Sequence, residues 1–200
     1  MEGNHSVATK NFYVVAGPNG AGKTTYAEEF LRERPCVYLN ADRIAAQLAP
    51  DDPTSKQMAA GREFLKAVET HLDGSEDLLV ESTLSGRSFR GALEKARVMG
   101  FRTTVFLVHL DGADSCVARV KERVRKGGHD VPEVDVRRRF SRSLANFWNM
   151  YRQIADEWIL GYNSTGEFKD VAVGAGNAFS VRDENLFFKF LRLAGVETHG

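Results

Sequence analysis

Gly17-Pro18-Asn19-Gly20-Ala21-Gly22-Lys23-Thr24 follows the spacing G-x-x-x-x-G-K-[ST] without a departure, and Thr25 comes next. Glycines so placed let a loop curve until successive backbone N–H groups point inward at phosphate oxygens. A helix starting at the end of the loop adds unpaired N–H groups and a partial positive charge. Lys23 is then placed to reach the β- and γ-phosphates of a nucleoside triphosphate, and the Thr24 hydroxyl to bind Mg²⁺. The loop alone does not separate kinases from GTPases, transport ATPases or motors, so the reaction must be read from other residues.

Two carboxylates follow short apolar runs. Asn40-Ala41-Asp42-Arg43 closes one run, and Glu81-Ser82-Thr83-Leu84-Ser85-Gly86-Arg87 closes another. In a doubly wound α/β sheet, ligands bind beyond the carboxyl ends of the strands. Asp42 can serve there as general base for an attacking hydroxyl, or it can cap the next helix. Glu81 can hold a metal-bound water or the acceptor, with Ser82 and Thr83 adding hydroxyls; alternatively it is solvated, and Ser85 is expected to cap the following helix. A basic stretch comes later: Arg119, Lys121, Arg123, Arg125 and Lys126, then Gly127-Gly128-His129, then Arg137, Arg138, Arg139 and Arg142. Arginines closing over a transferring phosphoryl group would stabilise its charge. Arg119 and Arg123 share one helical face and Lys121 and Arg125 another, so at least half of these charges are expected in solvent, and an RNA-binding patch is the competing use. Glu63, in a helical stretch after the first carboxylate, could touch an acceptor, although an exposed helical Glu is the commoner case.

These residues need a scaffold, and the apolar pattern supplies one. Phe12 to Ala16 reads as a buried strand ahead of the loop, and Lys23 to about Arg34 as an amphipathic helix. Cys36 to Leu39, Asp77 to Glu81, Thr103 to Leu110 and Trp158 to Leu160 read as further strands, the third being a buried centre strand. Helices are expected from about Arg43 to Leu72, broken near Pro50 to Pro53, and over Arg87 to Met99, Ala113 to Lys126, Pro132 to Asp156 and Glu184 to Leu193. A short hairpin is expected among Gly161, Gly166, Gly174 and Gly176. The aromatic group Phe147, Trp148 and Tyr151 reads as core rather than a base-stacking site, and His109 as a core histidine or one near the phosphates. The fold class is therefore α/β, a three-layer sandwich with a doubly wound, mainly parallel sheet. Residues 1–200 read as one domain, with a lid segment around 119–142.

Composition narrows the function. Among 200 residues, Lys+Arg and Asp+Glu both number 27, a zero net charge that argues against a polyanion-binding protein. Neither the Leu-Ser-Gly-Gly-Gln-like signature of transport ATPases nor the Asn-Lys-x-Asp motif of GTPases is found. No apolar run reaches the roughly 18 residues of a membrane span, and the first ten residues contain no signal-like stretch. Cys36 and Cys116 fit two free thiols in a reducing compartment, so a cytoplasmic location is expected.

The loop with Thr25, Asn40-Ala41-Asp42, Glu81 to Gly86, and Arg119-Val120-x-x-Arg123-Val124-x-x-Gly127-Gly128-His129-x-Val131-Pro132 occur in the order seen in zeta-toxin-like P-loop kinases. The sequence resembles the small stand-alone branch of that family from about Tyr13 to Ser164. The resemblance implies phosphorylation of UDP-N-acetylglucosamine or a related nucleotide sugar, with ATP and Mg²⁺. It implies Asp42 as general base, Glu81 and Thr83 on the acceptor, and Lys23 with Arg119 and Arg123 on the phosphates, His129 and Arg138 standing behind them. It also makes a separate antitoxin protein a candidate partner, with nucleic acid and membranes unlooked for. Other small-molecule kinases (for a sugar, antibiotic or nucleoside) and a regulatory or RNA-binding ATPase are the rival readings. Gly161-Tyr162-Asn163-Ser164 departs from the family's Tyr-Asp-Asn-Ser-like ending by lacking the Asp.

Overall fold

A computed structural model describes residues 10–48 and 57–197. Seven strands form one sheet in the order β2-β3-β1-β4-β5-β6-β7. The strands are β1 (Asn11–Ala16), β2 (Val37–Asn40), β3 (Leu78–Ser82), β4 (Arg102–His109), β5 (Glu157–Tyr162), β6 (Lys169–Ala175) and β7 (Ala178–Val181). The first five are parallel, and β6 and β7 extend the sheet as the antiparallel hairpin expected from the glycines. The helices are α1 (Lys23–Glu33), α2 (Ala41–Leu48), α3 (Gln57–Leu72), α4 (Arg90–Val98), α5 (Ala113–Arg125), α6 (Glu133–Asn146), α7 (Arg152–Ile154) and α8 (Glu184–Leu193). The break expected near Pro50 to Pro53 lies outside the described residues.

Alternate residues of a strand face opposite layers. Phe12, Val14 and Ala16 of β1 join a large core built with α3 to α6 and α8, whereas Tyr13 and Val15 face α1 through Ala27, Tyr26 and Phe30. This is the expected three-layer sandwich, with α1 the only helix packed in the second cluster among the described residues. β4 is buried along nearly its whole length, as its apolar run predicts.

One helix departs from expectation. The stretch read as continuous from Pro132 to Asp156 is α6, then a π-helical turn over Phe147–Tyr151, then the short α7. Pro132 precedes the first helical residue in an extended conformation. Phe147, Trp148 and Tyr151 are buried and pack among Trp158, Phe187 and Phe190 as core. His109 is likewise buried against Tyr162 and Phe190.

The topology fixes where a ligand can sit. β1 lies between β3 and β4, and the chain crosses to opposite sides of it, which makes its carboxyl end the switch point. There Ala16 pairs with Ser82 and Asn40 pairs with Glu81. The register alone therefore lines up the start of the glycine loop, Glu81 and Asn40 across three neighbouring strands.

Candidate active site

The loop needs its glycines for curvature and for close packing. Gly17 has φ +141°, and a Cβ there would stand 2.2 Å from the Val108 carbonyl oxygen of β4. Gly22 has φ +96°, and a Cβ would stand 2.4 Å from Asn163 Nδ2. No side chain caps the start of α1, so its first N–H groups stay available at the loop. Lys23 folds back and donates to the Pro18 carbonyl at 3.0 Å. Burial lowers its pKa, an effect opposed by the carboxylates of Glu81 and Asp42.

Glu81 is buried beside α1, not out in solvent. Thr24 Oγ1 donates to Glu81 Oε2 at 3.1 Å, and the Tyr38 hydroxyl donates to Oε1. Asn40 Nδ2 in turn donates to the Tyr38 hydroxyl at 3.1 Å. Both the burial of Tyr38 and its bond to Glu81 raise its pKa, so it stays a neutral donor. A hydroxyl and a carboxylate so paired are hard oxygen donors that fit Mg²⁺, which takes few protein ligands and completes its shell with waters and phosphate oxygens.

Asp42 lies in the first turn of α2, but the cap of that helix is Asn40. Asn40 Oδ1 accepts from the backbone N–H groups of Asp42 at 2.8 Å and Arg43 at 3.3 Å. The Asp42 side chain is exposed and has no hydrogen bond or ion pair among the described residues. Lys23, Asp42, Glu81 and Thr83 all line one cleft of about 420 Å³. Thr83 shares a hydrogen bond with the Ser85 hydroxyl at 2.9 Å. Ser85 therefore does not cap a helix: α4 starts at Arg90, after Phe89, with no side-chain cap. Glu63 is exposed and does not line the cleft, although Gly61, Phe64 and Leu65 of the same helix do.

The arginines divide in a way their spacing does not reveal. Arg119 Nη2 donates to the Asn163 carbonyl at 2.5 Å and lines a second groove with Gly20, Gly22, Thr25 and Phe168. Arg123 donates to the His129 carbonyl at 2.6 Å, while its Nε is buried without a partner among the described residues. Arg138, Arg139 and Arg142 of α6 line the cleft, and Arg139 Nη1 reaches Asn19 Oδ1 of the loop at 3.4 Å. Much of the remaining charge is spent on the surface: Lys121 pairs with Glu133, Arg125 and Lys126 with Glu122, and Arg137 with Asp114 and Glu133.

The family model AAA_33, described as AAA domain, matches residues 13–147, from β1 to the π-helical turn. The chain belongs to this AAA domain family. An uncharacterized protein of Haemophilus influenzae is 31% identical to this AAA-domain chain over 128 residues, 62% of the chain and 88% of the relative. Among solved structures, AvrRxo1-ORF1:-ORF2 with ATP is similar with a TM-score of 0.71 and 17% identity, covering 96% of this chain and 66% of that one. The chain thus spans just under two thirds of that protein's length. The PezAT chromosomal toxin-antitoxin system of Streptococcus pneumoniae gives a TM-score of 0.65 at 15% identity, covering 100% of this chain and 84% of its counterpart. At such identities the likeness establishes the fold alone.

Three residues of this AAA-domain site escape a reading of the sequence alone. Tyr38 sits inside an apolar strand and looks like core until its hydroxyl is seen on Glu81. Arg139 is one of three consecutive arginines, and only the packing of α6 selects it for the loop. Asn163 is buried, with Nδ2 donating to the Ala21 carbonyl at 2.9 Å and Oδ1 unpartnered among the described residues. Nothing in the spacing of Gly161-Tyr162-Asn163-Ser164 reveals the clamp that Asn163 places on the loop.

Proposed function

We propose that this AAA-domain protein is an ATP-dependent kinase that moves the γ-phosphoryl group to a hydroxyl of a small acceptor, a nucleotide sugar such as UDP-N-acetylglucosamine. One observation carries the reading. Asn40 takes the capping role, which leaves the Asp42 carboxylate unengaged in the same cleft as Lys23.

The loop N–H groups and Lys23 hold the phosphates, and the groove with Arg119, Thr25 and Phe168 receives the nucleoside end. Thr24 and Glu81 would hold Mg²⁺, which neutralises charge on the β- and γ-oxygens when bound. Asp42 takes the proton of the acceptor hydroxyl, whose oxygen forms the new bond to phosphorus while the bond from phosphorus to the departing ADP oxygen breaks. Arg139, beside Asn19, is placed to stabilise charge spreading over the phosphoryl oxygens. Arg123 holds the α5–α6 connection through His129, and Thr83 offers a hydroxyl to the acceptor. A separate antitoxin is part of the proposal, supported by the likeness to the PezAT structure, as is a cytoplasmic location, supported by two free cysteines and by no helix long and apolar enough to cross a membrane among the described residues. The test is incubation with ATP and Mg²⁺ against a panel of nucleotide sugars, sugars and nucleosides, read by mass spectrometry. A product heavier by one phosphoryl group is expected, and ATP hydrolysis stimulated by RNA with no phosphorylated product would contradict the reading.

A further inference from the structure

α6 runs along the cleft from the loop to the acceptor wall. Arg139 touches Asn19, Ser143 donates to the Thr83 carbonyl, and Asn146 donates to the Leu84 carbonyl at 2.9 Å. Arg142 sits between these contacts, three residues and about 4.5 Å of helix rise beyond Arg139, toward the β3 loop. The other arginines of this helix are engaged: Arg137 with Asp114 and Glu133, Arg138 with Asp135 at 2.7 Å, and Arg139 with Asn19. Arg142 lines the cleft and has neither ion pair nor hydrogen bond among the described residues.

We infer that Arg142 binds an anionic group, carboxylate or phosphate, carried by the acceptor itself. This rests on the kinase reading for the word acceptor, and on the geometry for the anion. Lys23 and Arg139 already serve the nucleotide end, and Glu81 is committed to Thr24 and Tyr38. The rest of the cleft lining offers hydroxyls, including those of Ser85 and Ser88, and the stacked rings of Phe64 and Phe89, with one unpaired guanidinium, that of Arg142. A guanidinium binds an oxyanion through two parallel N–H bonds and so fixes orientation as well as affinity. Asp42 would then draw the proton from a hydroxyl of a molecule tethered at its charged end.

The experiment has two arms. Protein saturated with Mg²⁺ and a non-hydrolysable ATP analogue is titrated calorimetrically with sodium sulfate. One sulfate site is expected in the wild type, lost in Arg142→Gln and partly kept in Arg142→Lys. Sulfate that fails to bind, or that binds wild type and Arg142→Gln alike, overturns the anion site whether or not the protein is a kinase. In the second arm, turnover is compared within the pairs N-acetylglucosamine and UDP-N-acetylglucosamine, glucose and glucose 6-phosphate, and glucose and gluconate. The charged member should be preferred, and Arg142→Gln should raise its KM roughly 10- to 100-fold without changing the KM for ATP. The pair that shows the preference tells phosphate from carboxylate. Neutral members turned over as efficiently as charged ones would overturn the proposal. No turnover on any pair, with sulfate still bound through Arg142, would contradict the kinase reading and uphold the anion site.

Discussion

Replacing Tyr38 with Phe removes one hydroxyl from the middle of a chain of contacts. The hydroxyl donates to Glu81 and accepts from Asn40, so its loss leaves a buried carboxylate oxygen and an amide N–H without these partners. Hydrogen bonds to a charged group contribute about 1.5–3 kcal/mol, and Tyr38 is only partly buried, so a stability loss of about 1–2 kcal/mol is expected. The more telling effect concerns metal. Glu81 keeps its contact to Thr24 but loses the bond that fixes its plane, and loss of such an orienting partner typically weakens metal affinity about 10- to 100-fold. Calorimetric titration with ATP, with and without Mg²⁺, separates the two effects. Metal-free ATP binding should stay near wild type while the Mg²⁺ needed for half-maximal enhancement rises about tenfold. A variant that loses stability but keeps the wild-type Mg²⁺ dependence would refute the placement of Glu81 at the metal.

Two further outcomes follow from other parts of the molecule. Burial pushes the His109 imidazole down to about 4, so its neutral form supports the fold above the ordinary value of 6.5, and that support is lost as pH falls from 6.5 to about 4. A decline of roughly 3 kcal/mol over that window in denaturant titrations is expected, and His109→Gln should flatten it. Its window is separate from that of Asp111, held near 2 by Lys189 and Tyr162, whose contribution fades only below 3.8. In kinetics, Arg139→Ala should lower kcat about 10²-fold with a smaller effect on the ATP KM, whereas Arg119→Ala should chiefly raise that KM; the reverse pattern would return the charge-stabilising role to Arg119.

Much of the fold is local and therefore legible. The glycine loop is contiguous, β4 announces itself by an unbroken apolar run, and α8 begins where Asp183 caps it through the Leu186 N–H. Asp42 and Glu81 stand out because each carboxylate follows a short apolar run, Glu81 within the end of β3 and Asp42 two residues past the end of β2. What stayed hidden depends on partners distant in sequence. Arg139 and Asn19 meet across the whole length from the loop to α6, and helical spacing cannot say which of three adjacent arginines faces a cleft. That Asp42 does not cap its helix is not legible without the side-chain oxygen of Asn40, which accepts the Asp42 and Arg43 N–H groups in its place. Ser85 reads as a cap because it precedes a helical pattern; the chain instead turns through Leu84 at φ +49°, and Tyr151 of the π-helical turn donates to the Gly86 carbonyl. The π-helical turn itself leaves no mark in a pattern whose apolar spacing still reads as helix.

The account turns on Asp42 as the base. Asp42→Asn keeps the shape and leaves the cap untouched, because Asn40 supplies it. The measurement is single-turnover phosphorylation of the acceptor by this variant, alongside calorimetry of ATP binding and a thermal melt. ATP affinity and melting temperature should stay near wild type while the phosphoryl-transfer rate falls roughly 10²- to 10⁴-fold. A folded, ATP-binding Asp42→Asn protein that transfers phosphoryl groups at the full rate would contradict the mechanism at its centre.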